Sequence, residues 1–252
     1  MRRYALCELF LIAVLGLSLA ACSDRSNRLP EKLRLEEHAL SAVPELDSLT
    51  FQPFGTTQET VLAQHALERA MGFPSAALTI QDNPALSALG DKSDLVAVLK
   101  TSSQNPLQQR VELLRGDEVM FTANAGLPSP VLPLQGLWTY DSHWALEILL
   151  ADASVWAGEV FIDGELINQV KGYDEAYSFQ LLAGRPFFFY QREGHAGFSY
   201  DGQETDLNYD VIPHYRCCSE SSLNPLPAQV MVAFFAQRGQ KWFYVEIGKF
   251  NP

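Results

Sequence analysis

The alternation of apolar and polar positions divides the chain into three stretches. Residues 9–19 are apolar and uncharged and follow Arg2 and Arg3. This run is about half the roughly 20 residues that a membrane-spanning helix needs, so it reads as the core of a targeting segment rather than as a span. From residue 23 to about 50 the charges are scattered, Pro30 and Pro44 interrupt, and no apolar period is sustained. That pattern predicts a tether containing a short helix around residues 31–42. Thr56 and Glu59 then stand at capping-box spacing, Leu62, Ala66 and Ala70 recur every fourth position, and Gly72 and Pro74 end the run. Together these predict a helix over residues 57–71.

Beyond Pro74 short runs of β-branched and aromatic residues are punctuated by Gly, Asp and Asn, the pattern of strands and hairpins. Two runs align without a gap at an offset of 68 residues. Val111-Glu112-Leu113-Leu114-Arg115-Gly116 starts the first, and Phe179-Gln180-Leu181-Leu182-Ala183-Gly184 starts the second. Leu146-Glu147-Ile148-Leu149 lies midway, and a looser fourth unit runs over residues 230–247 across Arg238-Gly239. Asp163-Gly164 and Asp201-Gly202 are hairpin turns, because both positions tolerate positive φ. The predicted class is mainly β: repeated antiparallel hairpins over about residues 96–250, propeller-like or in a sandwich or meander, with an N-terminal helical segment. Residues 186–190 and 242–245 are apolar at every position, which predicts central strands covered on both faces.

The leader carries a more specific pattern. Leu19-Ala20-Ala21-Cys22 behind the apolar run resembles the lipobox of bacterial lipoprotein precursors. The resemblance covers residues 1–22. It implies that residues 1–21 are a signal peptide, that Cys22 takes a diacylglyceryl group and an acyl chain such as palmitate, and that residues 22–50 form a lipidated tether and linker before a domain over 51–252. Two or more chains make a durable anchor where one does not. The resemblance also implies a lipid-anchored place in the cell envelope. Because Ser23 rather than Asp follows the cysteine, that place is the outer membrane if the host has one.

Charge narrows the partners. The chain has 252 residues and a net charge of −12, and losing Arg2, Arg3 and Glu8 with the leader makes the remainder one unit more acidic. Such a surface repels phosphate backbones and anionic headgroups, which argues against nucleic acid and leaves membrane attachment to the lipid.

Candidate chemistry centres on Pro213-His214-Tyr215-Arg216-Cys217-Cys218. Cys217 and Cys218 are the thiols left once Cys7 is removed and Cys22 is acylated, and export permits disulfides. Neighbouring Cα atoms lie about 3.8 Å apart, below the roughly 4.4 Å of ordinary disulfides, so a vicinal bridge is strained. Three readings stand: a structural pair, bridged or packed; a site for a soft metal ion with His214, Cys217 and Cys218 as ligands; or a redox or nucleophilic cysteine activated by His214. Asp163, Asp201, Asp174 and Asp210 are a further set that gathers round a cation or simply forms turns. Ser199 in Gly197-Phe198-Ser199 lacks the second glycine of a nucleophile elbow and reads as a strand residue. His65 reads as an ordinary side chain of the predicted helix. Trp138, Trp144, Phe187, Phe189, Tyr200, Tyr209, Tyr215 and Trp242 supply either a core or a face for a protein, peptide or glycan ligand. Two roles follow: non-catalytic binding or envelope assembly, or alternatively a metal-dependent or thiol redox enzyme at His214, Cys217 and Cys218. No cofactor motif appears in the sequence.

Overall fold

A computed structural model describes residues 29–30, 33–40, 85–87, 94–101, 105, 107–129, 131–152, 156–215, 224–227 and 230–248. In chain order the strands are β1 (Arg34–Ala39), β2 (Ala85–Ser87), β3 (Leu95–Thr101), β4 (Gln109–Arg115), β5 (Glu118–Gly126), β6 (Leu134–Tyr140), β7 (His143–Ala151) and β8 (Trp156–Ile162). After β9 (Glu165–Leu166) comes a short helix, α1 (Ile167–Lys171). The chain continues through β10 (Glu175–Leu182), β11 (Arg185–Arg192), β12 (His195–Tyr200), β13 (Gln203–Asp206), β14 (Leu226–Pro227), β15 (Met231–Arg238) and β16 (Lys241–Gly248). The leader, Cys22, the predicted helix over residues 57–71 with His65, Cys217 and Cys218 lie outside the described residues.

The protein is mainly β and built of antiparallel hairpins, as the alternation predicts. The strands form three open sheets ordered β1-β16-β15-β14, β10-β11-β12-β13 and β2-β3-β4-β5-β7-β8-β9, with β6 beside β7. Among the described residues the hairpins therefore stack in sheets and do not form a ring of blades. Asp163-Gly164 and Asp201-Gly202 close two-residue loops with φ of 51° and 90°, and of 50° and 78°. Turns of that hand match the twist of the flanking strands. The aligned repeats fall on the β4–β5 and β10–β11 hairpins, but Arg115 pairs with Glu118 whereas Leu182 pairs with Arg185. The turn has slipped by one residue, and a bulge at Leu113/Leu114 shifts the β4–β5 register further from that of β10–β11.

The sheet of β10 to β13 is the middle layer. Phe187 and Phe189 of β11 pack with Phe198, Phe234 and Val245 on one side, while Phe188 and Tyr190 pack with Trp138 and Val160 on the other. Alternating side chains thus meet apolar neighbours on both faces, which explains why residues 187–190 carry no wet position. β16 is likewise central, between β1 and β15, and Trp242, Phe243, Tyr244 and Val245 are all buried. Each fully buried Phe contributes about 1.5–3 kcal/mol. The eight-stranded sheet curls over a third core, in which Val111 and Leu113 meet Leu137, Leu146 and Ile148. Where β5 crosses to β7, Gly126 has φ of 72° and a Cβ there would lie 2.0 Å from the Ala151 carbonyl oxygen. The crossing therefore requires glycine.

The short helix predicted around residues 31–42, inside the expected tether, is corrected. Arg34–Ala39 is a strand paired along its whole length with β16, from Arg34↔Gly248 to Ala39↔Phe243. Glu37 fixes it there through Arg238 Nη2 at 2.5 Å and the Tyr209 hydroxyl. Helix-forming composition is overridden by a partner more than 200 residues away.

Candidate functional site

Two constellations stand out. The first is a cleft of about 520 Å³ between the turn ends of the large and middle sheets, lined by Tyr140, Asp141, His143, Ile162, Asp163, Glu165, Ile167, Pro186 and Asp201. Its carboxylates come from separate hairpins: Asp141 from the β6–β7 turn, Asp163 from the β8–β9 turn with Glu165 at the start of β9, and Asp201 from the β12–β13 turn. Asp163 Oδ2 lies 2.5 Å from His143 Nδ1, and Asp163 Oδ1 accepts the Trp144 N–H at 3.0 Å. Arg185 Nη1 stands at the rim, 3.9 Å from Asp141 Oδ2 and 3.8 Å from Asp201 Oδ1. Burial, and then the charges of Asp163, Asp141 and Asp201, push the Tyr140 hydroxyl up to about 12. The cleft is therefore electronegative, with an apolar wall of Ile162, Ile167 and Pro186.

The second lies in the seam between β7 and β10. Glu147 is buried, and its carboxylate accepts the N–H groups of Ser178 at 2.9 Å and Phe179 at 2.7 Å together with the Tyr215 hydroxyl. Ser178 reaches this position through a φ of 54° at a bulge in β10. Burial pushes the Glu147 carboxyl above the usual carboxylate range, and the Tyr215 hydroxyl, the two N–H groups and the nearby His214 hold it down only in part. Burial, then the charge of Glu147, pushes the Tyr215 hydroxyl well above its ordinary value. His214 stacks on Tyr177 with ring centroids 3.5 Å apart and planes 4° from parallel. Its Nδ1 is 2.6 Å from the Ile212 carbonyl oxygen and its Nε2 is 3.1 Å from Glu175 Oε1. Both ring nitrogens are thus engaged, and Glu175 also accepts the Gly158 N–H at 2.7 Å.

The residues singled out from the sequence are distributed as follows. His214 is placed in the seam, while Cys22, Cys217 and Cys218 lie outside the described residues. Of the four aspartates, Asp163 and Asp201 share the cleft; Asp174 and Asp210 instead accept the N–H groups of Glu193 and Gly239 at turns. Among the described residues no group of three or more His, Cys, Asp or Glu side chains is placed to hold a metal ion. Trp138, Phe187, Phe189, Tyr200, Tyr209 and Trp242 are buried core, and Ser199 is a buried residue of β12. Tyr140, Asp141, His143 and Glu165 were not singled out, since nothing local shows that their turns meet. Glu147 and Glu175 were missed too, although the repeat held a signal. Glu112, Glu147 and Gln180 occupy the same aligned position, and all three are buried.

Compared with known proteins, the chain matches no family model, no curated protein and no solved structure.

Proposed function

We propose that this chain is a lipid-anchored lipoprotein of the cell envelope, on the outer membrane in a host that has one, and that its β domain binds a ligand without transforming it. The binding role is carried by the cleft. It lies between two sheets, its volume is within the roughly 300–1,000 Å³ typical of ligand sites, and it sets a few convergent polar groups against an apolar wall. The location rests on Leu19-Ala20-Ala21-Cys22 behind the charge-free run. No helix among the described residues is long and apolar enough to cross a membrane.

Growing cells that express the full chain with labelled palmitate tests the anchor. Label is expected on the wild-type protein and absent from Cys22→Ser, which should also keep its leader by intact mass. An unlabelled wild-type product, or equal label on the variant, contradicts the anchor. The binding role is tested separately, at the cleft.

A further inference from the structure

Resting on the reading of the cleft as the binding site, we propose that its ligand is an aliphatic cation: an ammonium or guanidinium group on a short apolar stem. The charged head would sit among Asp141, Asp163, Glu165 and Asp201, and the stem would lie along Tyr140, Ile162, Ile167 and Pro186. Both halves of that description are needed. Carboxylates alone describe any acidic surface, but here they ring a cavity with an apolar wall, large enough for a small diamine or one basic side chain.

The chain itself shows that the rim accepts such a head. The guanidinium of Arg185 spans Asp141 and Asp201 at 3.9 and 3.8 Å. Charge-assisted bonds close to about 2.7–2.9 Å, so Arg185 is held loosely, and a cation seated deeper in the cleft can displace it. Arg185, Asp141 and Asp201 are all more than half exposed, so exchange has little steric hindrance. Anionic ligands meet carboxylates of their own sign and are repelled. Neutral sugars bind largely through the faces of Trp, Tyr and Phe, yet Tyr140 is the only residue of those three types in the lining, because the tryptophans and phenylalanines of this region are packed elsewhere.

The test is isothermal titration of the full chain in non-ionic detergent at low salt. The panel is pentane-1,5-diamine, a tripeptide with central lysine, pentane-1,5-diol, glutarate and glucose. Saturable binding of the diamine or the lysine peptide is expected, weakening as NaCl is raised. Loss of each carboxylate should reduce affinity about three- to fivefold in Asp141→Asn and Asp201→Asn, while Arg185→Ala should raise it about two- to threefold. Melting of each variant without ligand serves as the folding control. Tighter binding of the peptide assigns the cation to a basic side chain, and tighter binding of the diamine assigns it to a free amine; both support the proposal. Binding of the diol, glutarate or glucose that is lost in Tyr140→Ala, with neither cation binding, overturns the ligand class and keeps the cleft as the site. Binding by no member of the panel, or binding unchanged in all the cleft variants, overturns both.

Discussion

Two histidine–carboxylate pairs sit in different surroundings within one fold. The ring of His214 is 17% exposed, stacked on Tyr177, and engaged at both nitrogens next to the buried Glu147. The ring of His143 is 51% exposed and paired with Asp163 at the mouth of an open cleft. The same functional groups therefore do different work. In the seam the Glu147 carboxylate and both ring nitrogens of His214 are already engaged by the chain, and the cluster holds β7, β10 and residues 213–215 together. In the cleft Asp163 is already paired with His143 and the Trp144 N–H, whereas Asp141 and Asp201 are more than half exposed and only loosely approached by Arg185, so their interactions remain open to a ligand. Residue type alone does not distinguish a structural cluster from a site; the number of partners already in place does.

The contrast can be broken most forcefully at Glu147. Glu147→Ala strands three buried donors and should cost about 3–5 kcal/mol of unfolding free energy by urea denaturation. Loss below about 1 kcal/mol would show that the seam is not what holds the sheets together. Tyr215→Phe removes one of the three donors and should cost about 1–2 kcal/mol in the same assay.

A third test uses the sign of the pH dependence. The folded Glu147 carboxyl retains its proton above the pH at which the unfolded chain releases it, so its contribution is fully present below about pH 4.5. It is lost as pH rises through the raised folded value. Wild-type stability relative to Glu147→Gln should accordingly fall as pH increases from about 4.5; a rise would mean that the donors outweigh burial. The smallest effect belongs to the cleft. Asp141→Asn and Glu165→Gln should change stability by no more than about 0.5 kcal/mol, since both side chains border solvent. A larger loss would move the cleft into the structural class.

How much of this was legible in the sequence follows from range. Asp163-Gly164 and Asp201-Gly202 encode their turns locally, and the unbroken apolar runs at β11 and β16 mark strands covered on both sides. β1 was not legible, because Arg34-Leu35-Glu36-Glu37 favours helix in isolation and becomes a strand only through its ladder to β16. The cleft was half legible: Asp163 and Asp201 stood out as a pair of turn residues, but Asp141 and Glu165 join them only when hairpins of two sheets meet. His214 was conspicuous because of its cysteine neighbours, whereas its partners Glu175 and Tyr177 lie nearly forty residues earlier in the chain.

Thermal melting of the full chain with and without pentane-1,5-diamine, on wild type, Tyr215→Phe and the double variant Asp141→Asn/Asp201→Asn, tests the division of labour most directly. Tyr215→Phe should melt lower and keep the diamine-induced rise in Tm, while the double variant should melt as wild type does and lose that rise. The reverse pattern, or both effects in one variant, would contradict the assignment of stability to the seam and binding to the cleft.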